Sequence, residues 1–187
     1  MSINDEQMFY KYLDKARIYF EFGSGGSTYQ ASIRKNIEHI YSVESDMSWH
    51  KKLKDILKDK KNITFLYNEM DTQTNTWGHP GKNSTKDQLI QYSNQLLLLD
   101  ESIHKSIDFI MIDGRFRVAC CLKCFNVIHD DCFIAFDDFL DRSEYHTVLR
   151  YYDIVENTID KRMVILRKKT NCKIPKELIE KYEVLKN

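Results

Sequence analysis

The segment Glu21-Phe22-Gly23-Ser24-Gly25-Gly26-Ser27-Thr28 places three glycines between an apolar run and a polar one. A glycine has no Cβ, so its backbone takes positive φ readily and comes close to a ligand. A helix that starts directly after such a turn offers unpaired N–H groups in its first turn. The combination suits a nucleotide-type ligand. Glu44 follows about 20 residues later, the spacing at which a carboxylate accepts hydrogen bonds from both ribose hydroxyls. Trp49, just beyond it, either covers an adenine face or packs into the protein.

A second set of candidates is acidic. Asp113 closes the run Ile110-Met111-Ile112, and Asp137 and Asp138 follow Phe136. Carboxylates on neighbouring strand ends repel one another unless something positive joins them. A divalent cation with oxygen ligands, Mg²⁺ or Mn²⁺, is one answer. Helix capping by Asp113 and a solvated loop at Asp137 and Asp138 is the other. Asp113 is also a candidate general base. His79 is either a substrate contact and base or simply an exposed loop residue. Arg115 and Arg117 either bind an anionic group of substrate or cofactor or bridge to the nearby aspartates. Tyr145 and His146 lie on the same rim with no assigned role. Cys121 and Cys124 form a C-x-x-C pair beside Cys120, but Cys132 and Cys172 are isolated. A structural zinc site needs four ligands, so these thiols read as small core residues.

These groups need a scaffold that gathers them, and the hydrophobic pattern supplies one. Residues 4–16 read as an opening helix, 17–22 as a strand, 27–35 as a helix capped by Ser27 or Thr28, and 37–43 as a second strand. A charged helix over 48–59 and a strand over 63–67 follow. Residues 69–85 lack periodicity and read as a functional loop. Leu89, Tyr92, Leu96, Leu99 and Ile103 mark one long helix. The apolar run 107–112 reads as a strand buried on both faces. A helix over 118–128 and a strand over 132–136 come next. Residues 151–155 and 162–167 form a hairpin, and a final helix covers 175–185. Strands alternating with helices imply one α/β domain of doubly wound, Rossmann-like type, a mostly parallel sheet with helices on both faces. The hairpin adds an antiparallel strand near one edge. Such sheets bind ligands at the carboxyl ends of their strands, where the candidates above fall.

Glu21-Phe22-Gly23-Ser24-Gly25 resembles motif I of class I S-adenosylmethionine-dependent methyltransferases, an acidic residue followed by G-x-G, with Ser27 where a third glycine is common. Asp113, Asp137 and Asp138 match the aspartates of the metal-dependent small-molecule and sugar O-methyltransferases. The stretch Asp113-Gly114-Arg115-Phe116-Arg117 is similar to one in a group of methyltransferase-like proteins. The resemblance runs from the opening helix to about Arg167. It implies the strand order 3-2-1-4-5-7-6, S-adenosylmethionine as cofactor and a cation at the three aspartates. It further implies methyl transfer to a small hydroxylated acceptor, with a sugar or sugar nucleotide as the expected partner. Glu21, Gly23, Ser24, Gly25, Gly26, Ser27, Thr28, Glu44, Trp49 and Asp113 are then the expected cofactor residues, and Asp113, Arg115 and His79 the expected catalytic group. Two other readings of the glycine loop remain: a nicotinamide-dependent reductase and a non-catalytic nucleotide-binding module. The reductase would place a third glycine where Thr28 stands.

The bulk numbers fit a single domain of 187 residues, with 42% hydrophobic and 30% charged content. Lys plus Arg and Asp plus Glu are both 28, so no strongly basic surface for nucleic acid is expected. The longest apolar run, Leu96 to Leu99, is too short for a membrane span. The polar N-terminus does not read as a signal peptide, and five cysteines suit a reducing compartment, so the expected location is cytoplasmic.

Overall fold

The computed structural model describes residues 1–72, 76–160 and 162–185. The order of elements is α1 (Ile3–Leu13), β1 (Ile18–Phe22), α2 (Gly26–Ser32), β2 (His39–Glu44), α3 (Met47–Ile56), β3 (Ile63–Tyr67), α4 (Lys86–Asn94), α5 (Glu101–His104), β4 (Phe109–Ile112), α6 (Arg117–Phe125), β5 (Phe133–Phe136), a 3-10 helix (Ser143–Arg150), β6 (Tyr152–Asn157), β7 (Val164–Lys168) and α7 (Lys176–Tyr182). The seven strands form one sheet in the expected order 3-2-1-4-5-7-6. The five strands from β3 to β5 run parallel, and β7 lies antiparallel between β5 and β6.

Alternation along each central strand divides the core between the two faces of the sheet, because successive Cβ atoms point oppositely. Phe20, Phe22, Ile110, Ile112, Ile134 and Phe136 join Leu89, Tyr92 and Val118 of α4 and α6 on one face. Tyr19, Phe109, Met111 and Ala135 join Met8, Phe9 and Leu13 of α1 on the other. Both faces are covered, which is why these strands read as unbroken apolar runs. Among the described residues no helix is long and apolar enough to cross a membrane.

Three local expectations are corrected. The apolar spacing from Leu89 to Ile103 spans two helices, because the chain turns after Asn94 and restarts at Asp100; Leu97 and Leu98 in that turn are exposed. Neither Ser27 nor Thr28 is the N-cap of α2; Gly25 is, and its N–H donates to Thr28 Oγ1 at 2.8 Å. The 3-10 helix was not expected at all.

The register sets the site. Gly23 donates its N–H to Val43 O at 3.0 Å, Asp113 to Phe22 O at 3.0 Å and Asp137 to Ile112 O at 3.1 Å. Each bond extends the ladder one residue past its strand. The glycine turn and two of the aspartates are thereby side by side at the carboxyl end of the sheet.

Candidate functional site

The turn after β1 is built around Glu21, which is fully buried. Its Oε2 accepts from Tyr19 Oη at 2.9 Å and Ser27 Oγ at 2.5 Å; its Oε1 accepts from Ser42 Oγ at 2.6 Å and from Thr28 Oγ1. Burial raises the Glu21 pKa against the lowering effect of these hydroxyls. Both oxygens are occupied, so Glu21 holds the turn in shape and does not itself face the cleft. Ser27 and Thr28 use their hydroxyls for the same purpose.

The glycines divide into two kinds. Gly23 has φ +98°, and a Cβ on it would lie 2.8 Å from Gly114 N and 3.0 Å from Asp113 C. Only glycine allows β1 and β4 to leave the sheet so close together. A Cβ on Gly114 would overlap Tyr92 Oη and lie 2.9 Å from Gly23 N. Gly25 and Gly26 are the opposite: a Cβ on either meets no atom of the described residues within 4 Å. They border open space. Gly23 and Gly114 therefore serve the scaffold, while Gly25 and Gly26 leave room for something else.

Glu44 ends β2, one residue past the pairing of Val43 with Phe22. Its Oε1 accepts from the backbone N–H groups of Ser45 at 2.6 Å and Asp46 at 2.8 Å. Its second oxygen has no hydrogen bond to the described residues. Burial raises its pKa, opposed by the two amides. Trp49, in the first turn of α3, donates Nε1 to Ser24 O at 2.8 Å and remains 38% exposed. The indole is thus fastened across the turn with part of its surface still free.

The loop between β3 and α4 passes over this region; its residues 73–75 lie outside the described residues. Thr72 and Pro80 form an antiparallel bridge. A Cβ on Gly78 would lie 3.2 Å from Ser45 Oγ and 3.8 Å from Glu44 Oε1. The next residue, His79, accepts a hydrogen bond at Nε2 from Arg115 Nη1 at 2.7 Å. The loop therefore reaches from the end of β2 to the turn after β4. Burial, then Arg115 and Arg142, lowers the His79 pKa, so the imidazole is neutral. A recess of about 410 Å³ opens beside it, lined also by Asp71, Thr76 and residues 80–83. Trp77, in the same loop, is 89% exposed.

Two of the three aspartates, Asp113 and Asp138, have a partner other than the expected cation. Arg117, almost fully buried, reaches Asp113 Oδ1 at 2.9 Å and Asp138 Oδ2 at 3.6 Å. The same guanidinium donates to the carbonyls of Asp137 at 2.7 Å, Gly114 at 3.1 Å and Asp113 at 3.2 Å. Asp138 also meets Arg142 at 3.0 Å and Arg162 at 2.7 Å. Burial works to raise the Asp138 pKa, but Arg117, Arg162 and Arg142 outweigh it and the net shift is downward. Among the described residues no group of three His, Cys, Asp or Glu is placed to hold a metal ion. The donor set does not fit Mg²⁺ or Mn²⁺: an internal guanidinium neutralises these strand ends. The positive group between Asp113 and Asp138 is a side chain, Arg117.

Asp137 is left as the uncompensated member, with Oδ1 buried and unpaired. Burial, then the charges of Asp113 and Asp138, push its pKa up to about 7. A carboxyl that holds its proton more tightly folded than unfolded stabilises the fold at low pH. That contribution is lost as the pH rises from the ordinary aspartate value through about 7. Asp137→Asn is therefore expected to melt above the wild type by at least roughly 3 °C at pH 8, with the gap closing towards pH 4. A gap independent of pH in a thermal-melt series would contradict the assignment.

The remaining expectations sort readily. Cys120, Cys121, Cys124 and Cys132 are buried, and burial raises all four thiols, so they are inert core residues. Tyr145 Oη accepts from Arg142 at 3.0 Å, and the His146 ring lies 3.2 Å from Phe139 O. Both brace the loop after β5. Sequence reasoning offered Arg117 a salt bridge to the aspartates as one alternative, but nothing in the sequence marked it as buried.

No protein-family model matches the chain. Among solved structures, a methyltransferase-like protein from Silicibacter pomeroyi superposes with a TM-score of 0.84 at 24% identity, covering 98% of this chain and 95% of that one. An RNA methyltransferase from Salinibacter ruber, in complex with S-adenosyl-L-homocysteine, gives 0.55 at 13% identity, with 94% and 95% covered. An rRNA methylase from Streptococcus thermophilus gives 0.55 at 13%, with 90% and 98% covered. At these identities the likeness shows the fold: the chain has the methyltransferase sheet.

Proposed function

We propose that this chain is an S-adenosylmethionine-dependent methyltransferase acting on a small hydroxylated acceptor such as a sugar or sugar nucleotide. The observation that carries the reading is the open space over Gly25 and Gly26, beside the Trp49 indole fastened to Ser24 and the strand end at Glu44, one of whose oxygens has no hydrogen bond to the described residues. An adenosine fits those three features: a ring for the indole, two ribose hydroxyls for the carboxylate, and close backbone approach at the glycines. The cofactor, when bound, supplies an electrophilic methyl group on a sulfonium sulfur. The chain's own residues then do the positioning, which contributes much of the acceleration in a two-reactant displacement. His79 is neutral and takes the hydroxyl proton of the acceptor once its Nε2 is released from Arg115. No step is assigned to a metal ion.

The exposed Trp77 and the recess beside His79 support a small ring-bearing acceptor, because an indole so bare has apolar surface to cover. The RNA-modifying neighbours favour a second reading, transfer to RNA. The equal numbers of acidic and basic residues weigh against it, since RNA binding draws on a basic surface.

Calorimetric titration with S-adenosylhomocysteine, and with NADH in parallel, tests the cofactor. Saturable binding of the first alone is expected. Preference for NADH would transfer the glycine loop to the reductase reading. Binding of neither would leave it without a nucleotide ligand.

A further inference from the structure

Arg115 differs from every other arginine at this end of the sheet. Arg117 is paired with Asp113, and Arg142 and Arg162 with Asp138. Arg115 has no carboxylate within ion-pairing distance among the described residues. Its Nε is sealed from solvent with no hydrogen-bond partner among the described residues, and its Nη1 rests on the His79 ring. A guanidinium stays protonated under any condition in which the protein folds. Leaving a buried donor of this kind unsatisfied costs its desolvation with no hydrogen bond in return. Burial first, and the positive Arg117 second, act against its charge. Asp113 and Asp138 are already committed to other guanidinium groups.

The placement points into the cleft. Arg115 follows Gly114, whose backbone touches the glycine turn at Gly23, while His79 follows Gly78, which lies against Ser45 and Glu44. The two side chains thus meet from the turn after β4 and the loop after β3, each next to a residue that packs on the carboxyl end of the sheet. We propose that Arg115 and His79 form an anion-binding site that takes a carboxylate or phosphate of the methyl acceptor. Calling the ligand the acceptor rests on the methyltransferase reading; the anion site itself does not. A planar guanidinium offers two parallel N–H groups to such an anion. Occupancy also draws Nη1 away from His79 and frees Nε2 as a proton acceptor, so only an acceptor bearing the anion unmasks the base. The acceptor class narrows accordingly to phosphorylated or carboxylated hydroxy compounds.

Cofactor and acceptor can both supply an anion, since S-adenosylmethionine has a carboxylate of its own. The experiment separates them. Inorganic phosphate is titrated into the wild-type protein with and without saturating S-adenosylhomocysteine, following heat and the ¹⁵N signals of the His79 ring. Saturable binding to the S-adenosylhomocysteine complex is expected, with the His79 signals moving. In Arg115→Leu and Arg115→Gln the phosphate affinity should fall at least tenfold, while S-adenosylhomocysteine affinity stays within about twofold. Equal phosphate binding in wild type and both variants would overturn the site. Competition between phosphate and S-adenosylhomocysteine, with the cofactor product weakened in both variants, would overturn the acceptor assignment and give Arg115 to the cofactor's carboxylate. If the wild type binds phosphate but no S-adenosylhomocysteine, the cofactor reading fails and the anion site stands.

Discussion

Gly25→Val lowers the affinity for S-adenosylhomocysteine by at least about 100-fold, roughly 2.7 kcal/mol, while stability to urea stays within about 1 kcal/mol of wild type. The two halves of this expectation come from one measurement on the structure. A Cβ at position 25 meets nothing within 4 Å, so the protein itself has no quarrel with a side chain there. The φ of 175° is ordinary extended backbone, which any residue adopts. The only thing a valine displaces is what occupies the space. Gly23→Ala gives the contrasting result: its Cβ strikes the Gly114 backbone at 2.8 Å, and the φ of +98° is closed to alanine, so stability falls. Calorimetry beside urea denaturation reads both. Unchanged affinity in Gly25→Val would remove the ligand from the glycine turn.

Arg117→Leu is the second substitution with a large expected effect, this time on the fold. It removes the cation that joins Asp113 and Asp138 and the donor to three backbone carbonyls. Breaking a buried ion pair from one side leaves its partner charged and desolvated, at a cost of about 3–5 kcal/mol. Denaturant unfolding measures it. Adding Asp113→Asn to Arg117→Leu should recover part of the loss, because one of the stranded charges goes with it. A loss below roughly 1 kcal/mol, or no recovery in the double variant, would show that these carboxylates are neutralised some other way.

The strands were legible because their physics is local. A strand covered on both faces must be apolar throughout, and Phe109–Ile112 and Phe133–Phe136 are. The residues one step past each strand were legible for the same reason, which is how Gly23, Asp113 and Asp137 were found. What the sequence hides is where charge ends up. Arg117 sits in the first turn of a helix, where basic residues normally face water, and only the fold turns it inward beneath two strand ends, those of β4 and β5. The resemblance suggested a cation there, and the place was already taken. The break between α4 and α5 was hidden by leucines that continue the helical spacing through a turn, with Leu97 and Leu98 left in solvent. The 3-10 helix was hidden because its two buried residues, Tyr145 and Val148, are three apart, a repeat too short to register as a period.

The position of β7 has a consequence for synthesis. Chains fold from the N-terminus as they emerge, and β1 is the middle one of the five parallel strands, so β2, β3, β4 and β5 can each dock on a strand already made. β6 cannot, since its sole strand partner is β7. It must wait as an unpaired ribbon until Val164–Lys168 leaves the ribosome and slides in between it and β5. A ribosome stalled before Val164 therefore holds a nascent chain in which the edge of β5 is open and β6 has no partner, the kind of intermediate that chaperones and proteases recognise.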